Sequence, residues 1–144
     1  MQASQTEPIS DMEAINQMSF LYTALPNSLR PNSVFNLGVS QANADVVFGL
    51  FNFDVTSSAE IAWTLYNFNT QKLETFSTPV GPLQNQYPDA NFSAVKAHDS
   101  FTAAVHLLHD LQPGSYRLEA LLTVNQEAGA GNATFFEVRG DGHE

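Results

Sequence analysis

The densest group of chemically capable side chains is His106-Leu-Leu-His109-Asp110, with His98-Asp99 a short way upstream. Imidazoles and carboxylates this close in sequence raise two chemistries, metal ligation and general acid–base transfer. Both need the groups to converge. On a helix the two histidines would share a face, but Ser100-Phe-Thr-Ala-Ala-Val-His-Leu-Leu108 alternates with a two-residue period. Strand positions three apart point to opposite faces, so no metal site is expected. The serines offer no Gly-x-Ser-x-Gly turn, and no glycine-rich phosphate loop occurs. Glu60 and Glu119 fall on outward strand positions, where carboxylates are simply solvated. Cysteine is absent, which removes disulfides, thiolate catalysis and Cys-type zinc sites together. The expectation is a non-enzyme with no catalytic residue, no metal and no cofactor.

Two kinds of binding residue remain. If Ile61, Trp63 and Leu65 face a core, Tyr66 and Phe68 stand on the opposite face of the same strand. Tyr87 and Phe92, in a neighbouring long loop, would extend them into a platform for the apolar faces of sugar rings, with Asn67, Asn69 and Gln71 bonding hydroxyls. The bland alternative is a satellite core in which the loop or the N-terminal segment covers these rings, as exposed aromatic patches are uncommon on monomers. The other feature is the stretch from Thr78 to Pro88, stiffened by Pro79, Pro82 and Pro88. A stiff loop loses little freedom on docking, which suits a proteinase-inhibitor-like contact through Pro79, Val80 and Leu83. Two sequons, Asn91-Phe-Ser93 and Asn132-Ala-Thr134, would accept glycan only in a eukaryotic secretory protein. Arg139-Gly-Asp141 spells an adhesion tripeptide, a match too short to carry weight.

The elements that must position these residues are short strands. The stretch Leu111-Gln-Pro-Gly-Ser-Tyr116-Arg-Leu-Glu-Ala-Leu-Leu-Thr-Val124 joins a tight turn to a strand. Tyr116, Leu118, Ala120, Leu122 and Val124 fall on one face of it, and Ser115, Arg117, Glu119 and Thr123 on the other. An apolar face backed by a polar one is what an antiparallel sandwich strand needs. Similar segments run over Ser33–Val39, Asp45–Val55, Ala59–Asn67, Leu73–Ser77, Ser100–Leu108 and Ala133–Val138, at sandwich spacing. The simplest geometry makes Ser100–Leu108, with Phe101, Ala103, Val105 and Leu107 inward, a hairpin partner of the strand ending at Val124. Residues 125–132 read as a flexible turn before the last strand.

The N-terminal part reads differently. Ser10-Asp-Met-Glu13 matches a capping box, and Met12, Ile15, Ser19 and Tyr22 follow at helical spacing, predicting a short helix from about Asp11 to Thr23. The rival is a strand over Ser19-Phe-Leu-Tyr-Thr-Ala-Leu25. Pro26 and Pro31 then break the chain. The predicted organisation is an N-terminal segment and connector over 1–32, a sandwich domain over 33–138 and a flexible tail over 139–144.

Composition narrows the partners. With five Lys and Arg against fifteen Asp and Glu, the formal charge of −10 argues against nucleic acid and anionic membranes, which demand clustered cations. No apolar run approaches the ~18 residues of a membrane-spanning helix, so no membrane insertion is expected. Charged residues are only 14% of the chain, leaving Asn, Gln, Ser and Thr to build its polar surface. Such a surface suits an extracytoplasmic protein, whether secreted, periplasmic or of a virion. The first eight residues hold no cationic n-region and no apolar h-region, so no signal peptide is expected there.

About seven short strands, a tryptophan on an early central strand and the turn-then-tyrosine of Leu111-x-Pro-Gly-Ser-Tyr116 together resemble the immunoglobulin-like and fibronectin-III-like sandwich superfamily. The resemblance covers roughly residues 33–138, without the antibody cysteines. It implies an all-β, antiparallel Ig-like β-sandwich, in which a tyrosine near the penultimate strand bonds upstream backbone. The functional expectation is a non-catalytic structural or protein-interaction module with a neutral or basic protein partner. The alternatives are a carbohydrate-binding module and an inhibitor-like domain.

Overall fold

The computed structural model describes residues 17–37, 42–54, 57–68, 71–81 and 98–141. Every regular element among them is a strand: β1 (Gln17–Ala24), β2 (Val34–Leu37), β3 (Ala42–Asp54), β4 (Ala59–Asn67), β5 (Lys72–Gly81), β6 (His98–Leu111), β7 (Gly114–Val124) and β8 (Glu127–Asp141). They form a three-stranded sheet in the order β1-β3-β6 and a five-stranded sheet in the order β2-β8-β7-β4-β5. The fold is an all-β sandwich.

The two-residue period places the core where the residues predict it. Ile61, Trp63 and Leu65 of β4 are buried, as are Tyr116, Leu118, Ala120, Leu122 and Val124 of β7. From the other sheet, Val46, Phe48 and Leu50 of β3 meet them. Phe48 sets its ring edge-on to Trp63 at 5.8 Å, and the indole N–H donates to Thr78 Oγ1 at 2.9 Å, so the largest core side chain buries no unpaired donor. Tyr116 stacks on Phe136 at 5.0 Å, and Phe136 meets Phe35 edge-on at 5.9 Å, tying β7, β8 and β2 together.

Several expectations need correction. The helix over Asp11–Thr23 does not hold where the structure describes that span: residues 17–24 form β1, antiparallel to β3, and residues 11–16 lie outside the described residues. A register shift between Met18 and Phe20 removes strict alternation from β1, which is why a helical spacing fits it as well. The sandwich therefore begins by Gln17 and takes in part of the expected connector, while β8 carries it past 138 to Asp141. The about seven strands expected correspond to eight among the described residues, and β2 pairs parallel to β8 within an otherwise antiparallel arrangement. β6 and β7 are not a hairpin. β6 pairs with β3 and β7 with β4 and β8, so the Leu111–Gly114 turn carries the chain from one sheet to the other. Asp110, at φ 55, makes the bend in the left-handed region.

Nor are residues 127–132 a flexible turn. Asn125 and Gln126, at φ 51 and 71, close β7 onto β8 as a two-residue hairpin. Positive φ at both central positions is the geometry whose twist matches the flanking strands. The side-chain amide of Asn125 donates to Ser57 Oγ at 3.2 Å, pinning the hairpin to the chain before β4.

The 25–32 connector is equally well fixed. The Tyr22 hydroxyl donates to Leu29 O, Thr23 Oγ1 to Asn32 O, and the Asn27 amide to Asp45 Oδ2. Asn27 and Leu29 both have positive φ, so these bonds hold a turn whose backbone would otherwise relax. On the outer face of the same sheet the ring of Phe20 lies against Gly49, where an added Cβ would come within 2.3 Å of it.

Candidate functional site

Among the described residues His106, His109 and Asp110 belong to no group that could hold a metal ion, and the side chains of His98 and Asp99 lie outside the description. Across the β3–β6 pair Ala44 faces Leu108 and Val46 faces Val105, so His106 and Leu107 together oppose Asp45 in a bulge. His106 Nδ1 lies 2.6 Å from the buried Asp45 carboxylate, whose other oxygen holds the Asn27 turn. His109 Nε2 lies 3.0 Å from the backbone carbonyl of His106. These histidines brace the loops at one end of the three-stranded sheet. Glu119 pairs with Arg117 at 3.1 Å, and Glu60 is exposed.

The aromatic platform is assembled only in part. Tyr66 is half-buried, and the Arg117 guanidinium sits 4.4 Å over its ring, so one of its faces is already covered. Phe68 is 67% exposed. With Phe135, 57% exposed, and the buried Tyr116 and Phe136, it lines a shallow hollow of about 240 Å³ beside Ser33, Ser115 and Glu137. Tyr87 and Phe92 lie outside the described residues. The Asn67 side chain donates from Nδ2 to Gln71 Oε1 at 3.1 Å and accepts at Oδ1 from the Gln71 backbone N–H at 2.9 Å, closing the β4–β5 hairpin.

The proline-stiffened contact loop needs correction too. Its first part is not loop, because β5 continues through Gly81. Pro79 is exposed, but Val80 is buried in the core at 2% exposure and presents no contact surface. Leu83 lies outside the described residues. Asn132 of the second sequon stands opposite Ala120 within the β7–β8 pair, and its amide oxygen is buried without a partner among the described residues, which does not suit a glycan acceptor.

A different feature emerges from the topology. One side of the sandwich is closed, since β1 lies against β8 and β2 against β3. On the other side β5 and β6 are the last strands of their sheets, and no further strand pairs with either among the described residues. Between them opens a cleft of about 440 Å³. Its floor is core: Leu65, Leu108, Leu111 and Tyr116 are all buried residues that line it. Leu73, Phe76 and Leu107 form the walls, and Glu74, His109 and Asp110 stand at its mouth. Register explains Glu74. It faces Leu65 across the β4–β5 pair, so this carboxylate sits on the inward face of an edge strand.

Tyr116 closes the end of the cleft. Its hydroxyl donates to the backbone carbonyl of Gln112, the upstream bond that the sandwich resemblance implied. Burial raises its pKa above the ordinary 10.0 by disfavouring the phenolate. Sequence reasoning found Leu65 and Tyr116 as core residues but missed the cleft, because Glu74 and Asp110 belong to strands of different sheets.

No protein-family model and no curated protein matches the chain. Among solved structures it is similar to the C-terminal domain of wzt, with a TM-score of 0.53 and 12% identity over 88% of this chain and 74% of that one. It is also similar to part of a calcium binding mutant of Bacteroides uniformis beta-glucuronidase 2. There the TM-score is 0.50 at 15% identity, over 81% of this chain and 13% of that one. The likeness is one of fold, a β-sandwich.

Proposed function

We propose that the chain is a non-catalytic, immunoglobulin-like module that binds a protein partner through the cleft between β5 and β6, within an extracellular, periplasmic or virion assembly. One observation carries this reading: the two edge strands flank a single opening that reaches core leucines. An edge strand offers backbone pairing to an added segment, and a neighbouring apolar pocket supplies side-chain selectivity.

The test is a photo-crosslinking residue placed at Leu73, 45% exposed beside the cleft, or at Leu121, 38% exposed on the outer face of the five-stranded sheet. In extracts of the native source, the same partner should be captured from Leu73 and not from Leu121. Capture from Leu121 alone would reject the cleft.

The exposed pair Phe68 and Phe135 favours a second reading, carbohydrate binding on the hollow they share. Phe68→Ala together with Phe135→Ala should then abolish glycan-array signals given by the parent chain. An array without signal for the parent removes this reading.

A further inference from the structure

We infer that the occupant of the β5–β6 cleft is an extended, basic amphipathic segment, which seats an apolar side chain on the leucine floor and sets a lysine or arginine between Glu74 and Asp110. The inference rests on the protein-binding reading and names the class of partner.

Three observations converge. The walls and floor are aliphatic and aromatic, and a cavity of about 440 Å³ accommodates one or two large side chains rather than a folded element. Glu74 and Asp110 stand at the mouth, and neither carboxylate has a hydrogen bond or ion pair among the described residues. No lysine or arginine pairs with them among the described residues: Lys72, two residues before Glu74 on β5, makes no ion pair with it, Arg117 is committed to Glu119 and Tyr66, and Arg139 on β8 to Glu137. Two unpaired carboxylates beside an apolar opening favour a cation carried by the same ligand that fills the opening. The net charge of −10 draws such a segment in from a distance and repels an acidic one.

The segment's shape follows from the strands. Side chains of an extended peptide alternate between faces, so a residue directed into the cleft leaves its neighbours at the rim, where the carboxylates are. Glu74 has a competing explanation, since an inward charge on an edge strand keeps copies of one chain from pairing edge to edge. That role predicts self-association once the charge is removed.

The experiment uses the full chain and three labelled hexapeptides, alternating Lys with Leu, Lys with Ser, and Glu with Leu, at physiological ionic strength. Fluorescence anisotropy should register binding of the Lys/Leu peptide alone. In the double variant Glu74→Gln, Asp110→Asn its affinity should fall about tenfold. Asparagine tolerates the left-handed backbone at position 110, so this variant keeps its fold. Neutralising two remote acids, Glu60→Gln with Glu127→Gln, should change affinity less than twofold. Equal losses in the two double variants would reduce the effect to bulk charge and overturn the inference. Equal binding of the Lys/Ser peptide would overturn the apolar part, and self-association of Glu74→Gln would reassign that carboxylate to keeping edges apart. If the Leu73 crosslink captures a partner while the Lys/Leu peptide does not bind, the interaction reading stands and the basic amphipathic class is wrong.

Discussion

At the scale of single residues, Trp63 and Tyr116 do most to define the molecule. Trp63 is 1% exposed, touches Phe48 across the sheets and bonds Thr78 along its own sheet. Trp63→Ala should destabilise the chain by about 3–5 kcal/mol, measured by chemical denaturation, since it removes a large side chain from a site with walls on both sheets. A loss below about 1 kcal/mol would mean that the core collapses around the gap. Tyr116 makes a prediction in pH. Its phenol is neutral in the fold and its pKa is raised there, so its share of stability is complete below pH 10.0, the ordinary value of the unfolded chain, and is lost as pH rises towards the folded value. Tyr116→Phe should cost about 0.5–1.5 kcal/mol at neutral pH through the lost bond to Gln112. Its stability should also decline less steeply than the parent's above pH 10. An unchanged alkaline slope would show that Tyr116 does not titrate with unfolding.

At the scale of elements, strands with one fully buried face were readable and their partners were not. β4 and β7 announce themselves because every second residue enters the core, and all eight of the inward residues named from sequence are buried. β1 carries its own irregularity at Met18–Phe20, so its residues satisfy helical and extended spacing alike. The passage of Leu111–Gly114 between sheets leaves no mark on the alternation on either side of it, which is why a hairpin was the simpler expectation. The β7–β8 turn was hidden for a chemical reason. Such hairpins usually carry Asn-Gly, and here Gln126 occupies the second left-handed position while Gly129 and Gly131 nearby suggest looseness. Gln126→Gly should therefore stabilise the chain by about 0.5–1 kcal/mol, read from the denaturation midpoint. A loss of stability would mean that Gln126 makes its own contribution to the turn.

At the scale of the whole molecule, two sheets of unequal width meet along one closed side and one side that is open among the described residues. Neither composition nor periodicity encodes that asymmetry, because it depends on which strand ends which sheet. The likeness to the wzt C-terminal domain at a TM-score of 0.53 fixes the architecture and leaves the use of the open side to its chemistry. That chemistry is a leucine floor with two carboxylates at the rim, the basis for reading the chain as a binding module. The most direct measurement is amide hydrogen exchange across the full chain, with and without the partner captured from Leu73. Protection on binding should concentrate in residues 72–77 and 106–111, the stretches of β5 and β6 that border the cleft. Protection confined to the outer face of the five-stranded sheet, around Ala62, Leu121 and Ala133, would contradict it.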